Sequence, residues 1–325
     1  MALDVLCLRP EVDFARVGEL PSQRLRVAYI KPDDDSLCAL LGQARALVIP
    51  AVGSKLPASL FVDARLALVQ VTGAGVDRLD ADALKARAIP VANVPGGSNN
   101  AVAEYAVTAA SLLLRRFAWA DAEVRGGQYA QVRARMLADN VGGLEDLTVG
   151  LVGMGVIGAA VARAFVLQGC RVRYFDPALS AADEPPGVTR IATLHDLLAA
   201  ADVVSLHVPL LPSTQGLIGA DQLALMKSGA ILIQAARGGV VDEAALAASL
   251  RSGHLGGAAV DVYSTEPPAA DNPLLALHGE AARKLLLTPH VAGVTRQSAA
   301  KLFRACWANV ERVLLDGEPP RHRVY

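Results

Sequence analysis

Short runs of Val, Ile and Leu recur along the chain, each closed by Gly or Pro and followed by a stretch of helical spacing. In the first hundred residues the runs are Asp4–Leu8, Arg26–Ile30, Ala46–Ile49, Leu66–Val71 and Val91–Val94. They are continuously apolar rather than alternating, which predicts strands covered on both faces, as in a parallel sheet. Ser36–Ala44 and Asp80–Arg87 lie between them with helical spacing, so the series reads as βαβ. A second series has strands at Thr148–Val152, Arg171–Phe175, Asp202–His207, Ala230–Gln234, Ala258–Val262 and Leu285–Thr288. Its helices fit Ile157–Gln168, Leu194–Ala200, Ala220–Met226 and Asp242–Ser252. Six strands joined by crossover helices predict a doubly wound sheet. A long helical stretch, Val102–Val124, separates the two series. Ser298–Leu315 reads as a last helix, stopped by Gly317-Glu318-Pro319-Pro320.

Composition narrows the class. A length of 325 residues suits about two domains, each large enough to fold without disulfides or metals. With 53% apolar and 19% charged residues the chain is neither disordered nor a charged linker. A formal net charge of -1 provides no steering toward nucleic acid or an anionic membrane, and 4% aromatics argue against a base-stacking platform. The first ten residues lack the basic and long apolar regions of a signal peptide, and Glu104, Arg115 and Arg116 interrupt the most membrane-like window, Ala101–Ala120. Cys7, Cys38, Cys170 and Cys306 form no CxxC pair and read as small buried hydrophobes. Together these predict a cytoplasmic protein without nucleic-acid or membrane partners and without a metal.

A candidate ligand loop opens the second series. Gly153-Met154-Gly155-Val156-Ile157-Gly158 carries GxGxxG between an apolar strand and a helix. The first glycine permits a tight turn, the second lets backbone approach a pyrophosphate, and the third lets helix and strand pack closely. Alone the pattern is weak. Asp176, 18 residues after Gly158 and followed by Pro177, strengthens it. At the end of the next strand its carboxylate can accept from ribose hydroxyls and would repel a 2′-phosphate, which predicts NAD. Arg171 and Arg173 keep NADP open as the less favoured cofactor.

Three downstream segments follow in order: Gln234-Ala235-Ala236-Arg237-Gly238-Gly239-Val240-Val241-Asp242-Glu243, Asp261-Val262-Tyr263-Ser264-Thr265-Glu266-Pro267, and Thr288-Pro289-His290-Val291-Ala292-Gly293. Behind the glycine loop, and with Thr72-Gly73-Ala74-Gly75-Val76-Asp77 and Ser205-Leu206-His207-Val208-Pro209-Leu210, the sequence resembles the D-isomer-specific 2-hydroxyacid dehydrogenases over nearly its whole length. The resemblance implies an α/β fold of two doubly wound domains, a Rossmann NAD-binding domain (99–291) inserted into a flavodoxin-like substrate domain (1–98 and 292–325). It assigns catalysis to Arg237, Glu266 and His290. Beside the glycine loop, Asp176 and Pro177, it places His207, Val208, Pro209, Thr214, Ala235, Ala236, Asp261 and Gly293 at the cofactor. It places Val52, Gly53, Gly73, Ala74 and Gly75, with Arg237 and His290, at the substrate.

Chemistry asks for the same residue types. Reducing a 2-keto acid requires a cation for its carboxylate, a hydride donor, and an acid for the carbonyl oxygen. Arg237 is a permanently charged fork that grips a planar carboxylate. Histidine is the side chain best suited to acid–base work near neutral pH, and Glu266 can orient His290 and favour its protonated form. Consecutive N–H groups at Ala74 and Gly75 suit an anion, and the uncharged stretch Ala51–Ser54 predicts a small, uncharged substrate side chain.

Some positions depart from the family pattern. Gln234 stands where Asn is common and is expected to change the bonding around the site but to leave Arg237 untouched. The 24 residues from Glu266 to His290 are longer than usual, with Gly279–Lys284 expected to lengthen a surface loop. Gly126–Asn140 lacks a frequent tryptophan, with Tyr129 as a stand-in; in the family this region builds a two-fold dimer, so a homodimer is expected. The leading function is an NAD-dependent reductase of a small 2-keto acid, or the reverse oxidation. One alternative is a formate or phosphite dehydrogenase relative, although formate enzymes pair the histidine with Gln rather than Glu. The other is an NAD(H)-sensing module of the co-repressor kind, which usually carries further tails, whereas this chain ends about ten residues past its last predicted helix.

Overall fold

The computed structural model describes residues 3–180 and 186–325. Residues 1–2 of the expected first domain and 181–185 of the expected second lie outside the described residues. The fold comprises two compact units. One is formed by the chain up to Ser98 together with Val294–Tyr325, the other by Asn99–Gly293.

The first unit begins with β1 (Val5–Cys7), α1 (Glu11–Ala15), β2 (Val27–Tyr29), α2 (Leu37–Leu41), β3 (Ala46–Ile49), β4 (Leu68–Val71), α3 (Ala81–Ala86) and β5 (Val91–Ala92). The second contains α4 (Asn99–Leu114), α5 (Phe117–Arg125), α6 (Tyr129–Ala138), β6 (Thr148–Val152), α7 (Val156–Leu167), β7 (Arg171–Phe175), β8 (Thr189–Arg190), α8 (Leu194–Ala200) and β9 (Val203–Leu206). It continues with α9 (Ala220–Leu225), β10 (Ile231–Gln234), α10 (Glu243–Ser252), β11 (Gly257–Val260), α11 (Gly279–Arg283) and β12 (Leu285–Leu287). The chain then returns to the first unit as α12 (Arg296–Leu314).

The first unit's sheet is parallel with order β2-β1-β3-β4-β5, the flavodoxin-like arrangement. Successive residues of one strand serve opposite cores. Leu47 and Ile49 pack with Leu41, Phe61 and Leu84, whereas Ala46 and Val48 pack with Phe303, Trp307 and Val310 of α12. Each such large side chain, fully buried, contributes about 2 kcal/mol. A reciprocal cap starts α12: Ser298 N–H donates to Thr295 Oγ1 and Thr295 N–H to Ser298 Oγ.

The second sheet is also parallel, in the order β12-β11-β10-β9-β6-β7-β8. This is the Rossmann order extended by one strand beyond β11. Among the described residues it has seven strands, where the hydrophobic pattern predicts six. The missed one, β8, is two polar residues with no buried side chain, so it leaves no apolar signature. The expected helix Val102–Val124 is two helices. Apolar spacing ends at Leu114, and Arg116 turns the chain with a left-handed φ of 52° before α5. Gly279–Lys284, expected as surface loop, forms α11 instead. It buries no side chain and is tied down by charge, Arg283 pairing with Glu123 and Glu280 with Arg135. Cys7, Cys170 and Cys306 are buried, but Cys38 is exposed on α2. Tyr129, the expected stand-in aromatic, is 63% exposed. Among the described residues no helix is long and apolar enough to cross a membrane.

Candidate active site

The glycine loop follows β6, the strand at which the sheet's winding reverses. Gly153 has φ +94°, and a β-carbon there would sit 2.5 Å from the His207 carbonyl oxygen. A β-carbon on Gly158 would sit 2.2 Å from the Gly153 oxygen. Both positions therefore exclude side chains. Gly155 faces open space, with nothing within 4 Å of its β-carbon position. Gly155 also precedes α7 without a side-chain cap, so no side chain claims the helix's first N–H groups. Open room beside uncapped, dipole-aligned donors fits a pyrophosphate.

Asp176 directly follows β7 and is engaged by backbone. Oδ2 accepts from Met154 N–H at 2.8 Å, and Oδ1 accepts from Ala178 and Leu179. It thereby ties the glycine loop to the turn that begins at Pro177. His207 bonds Ser205 Oγ through Nε2 at 2.8 Å, and burial pushes its pKa down to about 4, so it is neutral near pH 7. It shapes the glycine loop through its carbonyl. In the following stretch, Val208 is half-buried and Pro209 exposed; Thr214 Oγ1 donates to the Pro209 carbonyl and accepts from Leu211 N–H, closing that loop.

Arg237, Glu266 and His290 emerge from the C-terminal ends of three neighbouring strands, β10, β11 and β12. Gln234 does not leave Arg237 untouched. Its longer side chain reaches forward, donating to the Arg237 carbonyl at 2.8 Å and accepting from Ala236 N–H. The guanidinium Nη1 donates to the Ala236 carbonyl at 2.7 Å. Gly238 is packed against the next segment so tightly that a β-carbon would lie 1.7 Å from the Tyr263 oxygen. Glu243 accepts from Ser264 N–H and from Asn272, fastening the loop that carries Glu266 to the start of α10.

His290 Nδ1 lies 2.9 Å from Glu266 Oε2 and 3.1 Å from Oε1, with both side chains about a quarter exposed. Tyr263 N–H donates to the same carboxylate, which holds it in place. His290 Nε2 makes no hydrogen bond among the described residues, leaving one ring nitrogen for chemistry. Asp261, expected at the cofactor, is a buried carboxylate that accepts from Val291 and Ala292 N–H at 2.8 Å each, on the two residues leading to Gly293.

In the first unit, Val52 and Gly53 lie in an exposed loop after β3. Arg78, missed in the sequence although it directly follows the Thr72–Asp77 motif, is buried and holds that loop by donating to the Pro50 and Ser54 carbonyls. Gly73 packs so close that a β-carbon would lie 2.8 Å from the Ala51 β-carbon. The N–H groups of Gly73, Ala74 and Gly75 donate to no acceptor among the described residues, while Asn93 secures the Ala74 carbonyl from behind.

Residues 107–292 match the family model described as "D-isomer specific 2-hydroxyacid dehydrogenase, NAD binding domain". The chain belongs to that family. This member is 41% identical to an (S)-sulfolactate dehydrogenase of Chromohalobacter salexigens, over 74% of its own length and 75% of the relative's. It is 34% identical to the D-3-phosphoglycerate dehydrogenase of Mycobacterium tuberculosis over 92% of its length. There it spans about half, 54%, of the relative's length. A crystal structure of a Thermus thermophilus protein superposes with a TM-score of 0.83 at 31% identity, covering 99% of this chain and all of the other. The second unit of this 2-hydroxyacid dehydrogenase family member is thus an NAD-binding domain, and the open Gly155 position and uncapped α7 terminus agree with that cofactor.

Proposed function

We propose that the chain is an NAD-dependent oxidoreductase interconverting a small 2-keto acid and its D-2-hydroxy acid. The observation that carries this reading is the His290–Glu266 pair at 2.9 Å, with the far ring nitrogen free of other bonds. NADH, which the glycine loop Gly153–Gly158 and the start of α7 would hold, would supply the hydride for reduction of the substrate's C2. Arg237 pairs with the substrate carboxylate and keeps the carbonyl oriented. His290 Nε2 donates a proton to the carbonyl oxygen, and Glu266 holds the ring in place through Nδ1. The free N–H groups at Gly73–Gly75 are assigned to the carboxylate. The loop Ala51–Ser54 carries no cationic side chain, which favours an uncharged substrate side chain over the sulfonate or phosphate named in the relatives. The active species is assigned as a homodimer.

A keto-acid panel followed by NADH absorbance tests the assignment. Turnover is expected on at least one small uncharged 2-keto acid. NADH binding without turnover of any of them would overturn the reading in favour of a sensing role. Higher kcat/KM on a sulfonated or phosphorylated keto acid would overturn the side-chain assignment alone. Replacing Asp176 by Ala removes both the repulsion of a 2′-phosphate and an acceptor for the ribose, so the preference for NADH over NADPH should fall about ten-fold or more. An unchanged ratio of kcat/KM values would refute that role.

A further inference from the structure

His290 is held in an unusual backbone conformation by a partly buried chain of hydrogen bonds that begins on a helix outside the three catalytic segments. Its φ is 55°, in the left-handed region, which costs a residue with a β-carbon on the order of 1 kcal/mol. Residue 261 grips the backbone on both sides of it. The Asp261 carbonyl accepts from His290 N–H at 2.8 Å. The Asp261 carboxylate accepts from Val291 N–H through Oδ1 and from Ala292 N–H through Oδ2. This carboxylate is 1% exposed, and among the described residues of the second unit no salt bridge to it is found. A buried anion so placed depends on hydrogen-bond donors. Its third donor is the Thr288 hydroxyl, at 2.6 Å from Oδ1.

Thr288 is itself a relay. A hydroxyl has one proton, and Thr288 gives it to Asp261, so the Tyr105 hydroxyl 2.8 Å from Thr288 Oγ1 must be the donor there. Tyr105 lies in α4, outside the segment matched by the family model. Burial, its largest influence, pushes the phenol up to about 12, so it remains a donor throughout the working range. Donors in series polarise one another in the direction of the anion.

We propose that Tyr105 is a positioning residue for His290, acting through Thr288 and Asp261. The directed chain Tyr105 to Thr288 to Asp261 holds the carboxylate in the orientation that grips the Val291 and Ala292 amides. That grip keeps His290 in the left-handed conformation from which Nδ1 meets Glu266. The catalytic part of this inference rests on His290 being the acid of the proposed reaction; the hydrogen-bond relay does not.

The full chain carrying Tyr105→Phe, Thr288→Val, Thr288→Ser or the Tyr105→Phe/Thr288→Val pair decides it. Tyr105→Phe and Thr288→Val should each lower kcat for keto-acid reduction about ten-fold while KM for NADH stays within about two-fold. Thr288→Ser keeps the hydroxyl and should retain near wild-type kcat. The double variant should lose no more than Thr288→Val alone, because both changes break one path. Additive losses, or a Thr288→Ser variant as poor as Thr288→Val, would mean that Tyr105 only packs, and would overturn the proposal. Amide hydrogen exchange at Val291 and Ala292, without substrate or cofactor, reads the relay independently of turnover. It should speed up about ten-fold in Tyr105→Phe and Thr288→Val but not in Thr288→Ser. Unchanged exchange in both would overturn the relay whatever the activities. A wild-type chain without turnover would instead count against the proposed function and leave this exchange result to decide the relay. Should Tyr105→Phe fail to fold, the two Thr288 variants probe the same path.

Discussion

Replacing His290 by Gln should lower kcat for keto-acid reduction by about 10³-fold or more, within the range supplied by a positioned general acid. Glutamine can still hydrogen-bond Glu266, so the local contacts survive, but it has no proton to transfer near neutral pH. NADH binding should persist, because the glycine loop and α7 lie at the end of β6, four strands away from β12, which leads to His290. Stopped-assay kinetics and a fluorescence titration with NADH separate the two properties. Residual activity above about a tenth of wild type would remove His290 from the acid's role.

Among the glycines, Gly238→Ala should be the most damaging change to alanine. The added carbon would lie 1.7 Å from the Tyr263 oxygen, 2.2 Å from its carbonyl carbon and 2.9 Å from the Ser264 nitrogen. All three are backbone atoms, so relief requires the turn after β10 and the segment after β11 to separate. Those two segments carry Arg237 and Glu266. A displacement of about 1 Å at reacting groups costs on the order of 10²-fold in rate, and forced overpacking costs about 1–3 kcal/mol of stability. The expected result is a lower Tm together with a fall in kcat/KM of at least about 10²-fold. Gly143→Ala is the control. Nothing lies within 4 Å of its β-carbon position, and both quantities should stay unchanged. A Gly238→Ala enzyme with wild-type Tm and kcat/KM would show that the two segments can part at no cost to the site.

Most strands were legible because parallel strands buried on both faces need apolar runs, and β3 and β6 coincide with theirs, while β7 shows as an alternation with Val172 and Tyr174 buried. What was missed lacked that signal. The two polar residues of β8 pair at a sheet edge, and α11 is held by ion pairs rather than by an apolar face. Charge at Arg115 and Arg116 interrupted a helical stretch whose composition otherwise looked continuous. Gln234 was read as neutral toward Arg237 because type and spacing do not reveal which way a longer amide reaches; its contact with the Arg237 carbonyl depends on the turn's geometry.

By itself the sequence determined the chemistry on offer: a cation at Arg237, an acid–base group at His290, a carboxylate at Glu266, and glycines spaced for a phosphate. It also determined the order of the apolar strands and of most helices between them, since burial period and breaker residues are local properties. Only the tertiary structure decided which of these groups meet. Glu266 reaches His290 across 24 residues because β11 and β12 are neighbours in register, and Tyr105 reaches Thr288 across 183 residues through the packing of α4. The same holds for Gly238, which had no distinguishing feature beyond its motif until the Tyr263 carbonyl was found against it. Contacts between distant segments arise from the register and packing of the whole sheet, and no periodicity along the chain encodes them.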